Sequence, residues 1–159
     1  MKTGESLGSR LKRGVCCFGL SVVLPCPSVI EMAALAGYDF VRIDWEHALF
    51  GAIELRELLN TARLVGMPCQ VRVPELTMIT PLLGQEPAGI MVPHVESEKE
   101  ARAAVDACRF QPLGRRGMDG NTRRMRCEGM TRRTYMEYQQ ENLDIVVQIE
   151  SIPAMEKID

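Results

Sequence analysis

The chain reads as an α/β fold of parallel strands joined by right-handed helical crossovers, and three observations predict it. Short apolar runs of strand character alternate with stretches in which apolar residues recur every three or four positions. Strand starts recur at close to the roughly 30 residues per unit expected when about 250 residues make eight βα units. At that rate the 159 residues supply about five units, and the chain stops just as a further helix begins. A barrel truncated after five units and a complete five-stranded doubly wound domain both meet these observations.

Each element has its own signal. After a polar lead-in, residues 14–21 are apolar and read as the first strand. Pro25 and Pro27 break the chain, and residues 28–36 carry Ile30, Ala33, Ala34 and Leu35 at helical spacing before Gly37 stops them. Phe40–Asp44 is strand two. Residues 53–65 form the clearest helix, with Leu55, Leu58, Leu59, Ala62 and Val65 on one face and Gly66 at its end. Pro68 precedes strand three, residues 69–73; a short helix over 77–83 leads to strand four, Gly89–Val92, closed by Pro93. Ser97 caps a helix through Cys108, with Glu98 and Glu100 in the first turn, where the helix dipole favours acids. Residues 109–133 show little periodicity, 135–141 read as helix, 143–149 as strand five, and Pro153 opens the last helix. All of 1–159 is taken as the N-terminal portion of a single domain.

Composition narrows the classes. The chain is 46% hydrophobic and 25% charged, with a net charge of −2, the makeup of a globular domain without a bias toward nucleic acid or an anionic membrane. No apolar run reaches the roughly 18 residues of a membrane span. The N-terminus carries an acid and no hydrophobic segment directly behind it, so a secretory leader is not expected and a cytoplasmic location is. The six cysteines lack metal-site or disulfide spacing, and Cys16, Cys17, Cys69 and Cys108 lie in apolar contexts, so buried reduced thiols are expected.

The chemistry collects at strand ends. Residues two apart on a strand share a face, which pairs Arg42 with Asp44, Gln70 with Arg72, and Gln148 with Glu150. In a parallel sheet these C-terminal ends converge on one rim, where α/β enzymes build their sites. A buried charge without a partner is costly, and three such pairs in register favour a site over chance. Asp44, Glu46, His47, Arg72 and Glu150 are the groups available there. Carboxylates from different strands suit a hard divalent cation, Arg72 suits a substrate carboxylate or developing oxyanion, and His47 suits proton transfer near neutral pH. A packed ion pair and an exposed loop histidine are the plain alternatives. His94, after Pro93, is read as a lining or solvent-facing residue.

The segments Ile43-Asp44-Trp45-Glu46-His47, Val71-Arg72-Val73-Pro74-Glu75, Gly89 to Val95, Pro112-Leu113-Gly114-Arg115-Arg116-Gly117 and Val147-Gln148-Ile149-Glu150 occur in this order. Together they resemble the metal-dependent HpcH/HpaI aldolases, the 2,4-dihydroxyhept-2-enedioate aldolases and their relatives. The resemblance implies a TIM (β/α)8-type barrel of the phosphoenolpyruvate/pyruvate superfamily, of which about five βα units are present. It implies a lyase that cleaves 4-hydroxy-2-oxo acids to pyruvate, or a related 2-oxo acid, plus an aldehyde through a metal-stabilised enolate. By the same resemblance Glu150 is a metal ligand for magnesium, manganese or cobalt. Arg72 holds the substrate oxygen and the enolate, His47 is the acid/base for the 4-hydroxyl, Asp44 orients the site, and Gln148 supports the substrate. Glu46 becomes a structural neighbour. A homo-oligomer is expected, with small-molecule 2-oxo acids and aldehydes as partners and neither nucleic acid nor membrane.

Two departures from the family pattern are visible. The second metal carboxylate, an Asp on the sixth strand, would fall beyond Asp159, so weak metal binding and little turnover are expected of this chain alone. Residues 76–88 are about two residues short of the usual unit, and Gly84 stands where an Asp commonly supports the catalytic histidine, with Glu86 as candidate substitute. The alternatives are an inert truncated product or assembly subunit, and a citrate-lyase-type acyl-CoA lyase. Residues 115–133 carry seven arginines against Asp119 and Glu128. They are read as a solvated loop or subunit contact, with an electropositive collar for oxo acids as the functional alternative.

Overall fold

The structure, a computed structural model, describes residues 6–158. Five strands, β1 (Gly19–Val22), β2 (Phe40–Asp44), β3 (Cys69–Arg72), β4 (Gly89–Val92) and β5 (Asp144–Val147), pair in parallel and in sequence order. A doubly wound sheet reverses its strand order at a switch point; this one adds every strand to the same advancing edge. The sheet is therefore an arc of a (β/α) barrel.

Register sorts the side chains into two faces. Val41, Ile43, Cys69, Val71, Ile90 and Val92 share the helix-facing side and are buried. Against them pack Ile30 and Ala33 of α2 (Pro27–Leu35) and Leu55, Leu58, Leu59 and Ala62 of α3 (Ala52–Leu64). A 3-10 turn (Leu76–Met78) and α4 (Ile79–Leu83) follow β3; α5 (Glu98–Cys108) follows β4 and opens as expected, with Ser97 Oγ accepting the Glu100 N–H at 3.3 Å. The opposite face carries Arg42, Gln70, Gly89 and Asp144 at one level and Asp44, Arg72, Met91 and Val146 at the next. Gly89 is needed there. A Cβ would lie 2.9 Å from Gln70 Cγ and 3.0 Å from Asp144 Cβ.

Several boundaries differ from the sequence reading. The first strand begins at Gly19, where pairing with Phe40 starts; residues 14–18 lie outside the ladder. Cys16 and Cys17 are correspondingly exposed and half-buried rather than buried, and only Cys69 and Cys108 are enclosed. Burial pushes the Cys69 thiol up to about 12. The polar lead-in contains α1 (Leu7–Lys12), a helix with a single buried residue, Leu7, too short for its periodicity to show. Its Gly8 N–H donates to Asp144 at the N-terminal end of β5. The polar stretch holds α6 (Arg123–Cys127) and leads into α7 (Arg132–Asn142); α8 (Ile152–Met155) follows β5.

Two arginines of the polar stretch are internal ties, while Arg115 and Arg133 pair at the surface with Asp106 and Glu137. Arg116 stacks on Phe110 at 4.4 Å and bonds Gln139 and Tyr135, while Arg124 stacks on Tyr138 at 4.3 Å and bonds Glu128. Arg116 also reaches Leu83 O, and Arg124 reaches Glu86, both just before β4. These two sit at the strand starts, across the barrel from the rim, as loop-fixing groups rather than a collar. Glu86 is corrected with them. Its carboxylate accepts the Arg124 N–H at 3.3 Å and none of its described contacts is with His47, because it precedes β4 while His47 follows β2.

Candidate active site

The site grows out of the end of β2. Asp44 is the last residue of the strand, and its Oδ1 accepts the backbone N–H groups of Glu46 and His47, both at 3.2 Å. A short carboxylate that bonds its own backbone two and three residues on makes a turn. This turn lifts Glu46 and His47 onto the rim, while Trp45 N donates to Arg72 O at 3.0 Å and ties the turn to β3.

Asp44 and Arg72 are register partners and meet as a fork. Arg72 Nε donates to Asp44 Oδ1 at 3.0 Å, and Nη2 donates to Oδ2. Nη1 reaches Gln148 Oε1 at 3.3 Å, and Nη2 lies 2.7 Å from His47 Nδ1. Burial alone would raise the Asp44 carboxyl, but the Arg72 hydrogen bonds, the His47 N–H and the nearby positive charge together hold it below its ordinary value. The Asp44 hydrogen bond raises Arg72 in turn. A guanidinium has five N–H groups; the contacts named here engage four of them and leave one on Nη1. Because arginine only donates, Nδ1 of His47 accepts from it, which puts the neutral-ring proton on Nε2.

Asp44, His47, Arg72 and Gln148 are thus brought together as the residue pattern anticipates. Glu150 is at the same rim but one step away, through His94. Its Oε1 accepts the His94 backbone N–H at 2.8 Å and lies 3.0 Å from His94 Nδ1. Two residues have larger parts than the sequence suggested. Glu46 stands 3.2 Å from Arg72 Nε, 3.4 Å from His47 Nδ1 and 2.8 Å from His94 Nε2, and its Oε2 is buried without a hydrogen bond. His94 is solvent-facing as read, yet it joins Glu46 to Glu150 across two strand ends. The i, i+2 spacing of Asp44 and Glu46 was a signal for the first. Nothing local signals the second, whose φ of 54° is set by the fold.

The donor set fits a hard divalent cation. The available ligands are carboxylate oxygens, and among the described residues Glu150 takes its contacts on Oε1 and leaves Oε2 open. Asp44, Glu46 and His47 also hold ligand atoms within 4.8 Å of one another, though Asp44 is committed to Arg72.

Comparison with known proteins follows the same residues. The model of the family described as HpcH/HpaI aldolase/citrate lyase matches residues 18–159. A 4-hydroxy-4-methyl-2-oxoglutarate aldolase of Hapsidospora irregularis is 35% identical over 118 residues, covering 72% of this chain and 44% of that protein. A 4-hydroxy-2-oxovalerate aldolase of Novosphingobium aromaticivorans is 32% identical over 161 residues, covering 98% of this chain and 59% of its own length. The crystal structure of an HpcH/HpaI aldolase from Desulfitobacterium hafniense superposes with a TM-score of 0.85 at 26% identity, over 96% of this chain and 60% of that one. The chain spans about half the length of the relatives it matches. With a family match that takes in every strand of the arc and the whole rim, the chain belongs to the HpcH/HpaI aldolase/citrate lyase family.

Proposed function

We propose that this rim cleaves the C3–C4 bond of 4-hydroxy-2-oxo acids, giving pyruvate or a related 2-oxo acid and an aldehyde through an enolate. The observation that carries the reading is the Arg72 guanidinium, held at the rim by Asp44 and Gln148 with one N–H to spare. A fixed cationic donor aimed at the place where an oxyanion develops stabilises it without reorganisation, typically worth about 3 kcal/mol per donor. The aldolase names of the two relatives above support the same substrate class.

His47 exchanges the proton of the 4-hydroxyl. Against Arg72 its Nδ1 is an acceptor and Nε2 holds the proton; turned onto Glu46 Oε2, 3.4 Å away, Nδ1 becomes the donor and Nε2 the base. Glu46 is therefore the orienting carboxylate for the base-competent ring. A divalent cation (Mg, Mn or Co), held by Glu150, would supply Lewis-acid neutralisation of the charge developing on the 2-oxo oxygen. No lysine Schiff base is needed in this scheme.

Enolate formation on pyruvate alone tests the reading without an aldehyde. In D2O with Mg2+ the chain is expected to wash out the pyruvate methyl protons, followed by NMR, and to release pyruvate from 4-hydroxy-4-methyl-2-oxoglutarate, both slowly, as the low turnover expected of one metal carboxylate requires. EDTA stops both, and Arg72→Ala lowers both at least 100-fold. Neither exchange nor pyruvate release with any of Mg2+, Mn2+ or Co2+ would overturn it. Exchange with an acyl-CoA in place of pyruvate would move the chain to the citrate-lyase-type reading.

A further inference from the structure

The residue whose conformation is least explained by the reaction is His94. It holds φ at 54°, a left-handed backbone uncommon outside glycine, though histidine, like asparagine and aspartate, enters it more readily than other side chains. Such conformations persist where the surroundings over-determine them. Here the turn after Val92-Pro93 aims two donors of one residue at one oxygen: His94 N–H at 2.8 Å and Nδ1 at 3.0 Å from Glu150 Oε1. The far side of the ring, Nε2, stands 2.8 Å from Glu46 Oε1. The side chain is exposed, so it is not core packing that holds it.

We propose that His94 is the positioning residue of Glu150: its N–H and Nδ1–H fix one carboxylate oxygen and leave the other turned out for a divalent cation. The inference rests on the metal reading of Glu150 given above. Carboxylates that ligate metals are themselves held by hydrogen bonds, and loss of such a partner commonly costs 10- to 100-fold in affinity. Nε2 also approaches Glu46, which places the ring between β4 and the β2 turn; a neutral ring that gives its one N–H to Glu150 has none left for Glu46.

The left-handed backbone makes the test clean. His94→Gly keeps the conformation and the backbone N–H and removes only the imidazole. His94→Asn also tolerates this region, and its Nδ2 lies where Nδ1 does, so it restores the bond to Glu150 without the approach to Glu46. Mn2+ binding to the full chain is read by calorimetry and by loss of the free-Mn2+ paramagnetic signal, with thermal melts to verify that each variant folds. His94→Gly is expected to bind Mn2+ about 10- to 100-fold more weakly, with His94→Asn recovering most of the loss and Glu150→Gln losing saturable binding. A folded His94→Gly that binds like the parent overturns the role of His94, as does an Asn variant no better than Gly. Parent protein that takes up no Mn2+, or Glu150→Gln that binds unchanged, overturns the metal reading itself and the role of His94 with it.

Discussion

Asp44 shows how one side chain can serve the fold and the site together. It ends a strand, closes a turn through two backbone N–H groups, and holds Arg72 in one orientation. Its carboxyl sits below the ordinary value, so the sign of its linkage to stability is settled. The contribution is complete above the unfolded-state value of about 3.9 and is lost as pH falls through the lower folded value. Asp44→Asn should therefore flatten the acid limb of the urea midpoint plotted against pH and lower stability at pH 7. An acid limb unchanged in the variant would show that Asp44 does not carry it. The same substitution leaves Arg72 without its fork partner, and an arginine free to rotate presents its N–H to the substrate only part of the time.

At the scale of elements, α1 has the clearest single dependency. Its one buried residue is Leu7, and its Gly8 N–H bonds Asp144, whose carboxyl is pushed up by burial. A methyl group at position 8 would overlap Asp144 Oδ1. Gly8→Ala would normally favour a helix, yet here it should cost about 1–3 kcal/mol, the range for overpacking, and release α1 from the strand starts. Urea unfolding measures the cost and limited proteolysis within residues 7–12 measures the release. Equal or higher stability would show that the carboxylate simply moves aside. The rim, at the other end of the strands, should keep its geometry.

The whole molecule is an arc with two edges. Within the described residues, β1 and β5 each have one paired side, and the apolar Leu24, Ile152, Met155 and Ile158 that follow them are exposed. Unpaired strand edges and contiguous apolar surface drive association. The purified chain is expected to elute as an oligomer, with light scattering giving a mass above 17.8 kDa that persists in high salt because the contact is apolar. A monodisperse monomer with a cooperative melt would argue against it. No helix of the described residues is long and apolar enough to cross a membrane.

The sequence by itself determined the alternation of strand and helix, nearly every boundary from β2 to α5, and the gathering of Asp44 and Arg72 on one rim. These follow from period-2 and period-3.6 patterns and from caps such as Ser97 and Gly37, all of which act over a few residues. Strand order was not determined in that way, because five parallel strands satisfy the same local pattern whether or not the order reverses. Nor was the part played by Glu46 and His94. His94 meets residues 48 and 56 positions away, from a left-handed backbone conformation at the end of β4. Only the tertiary structure could decide that, since the energy that holds such a residue comes from groups distant in sequence and brought close by register.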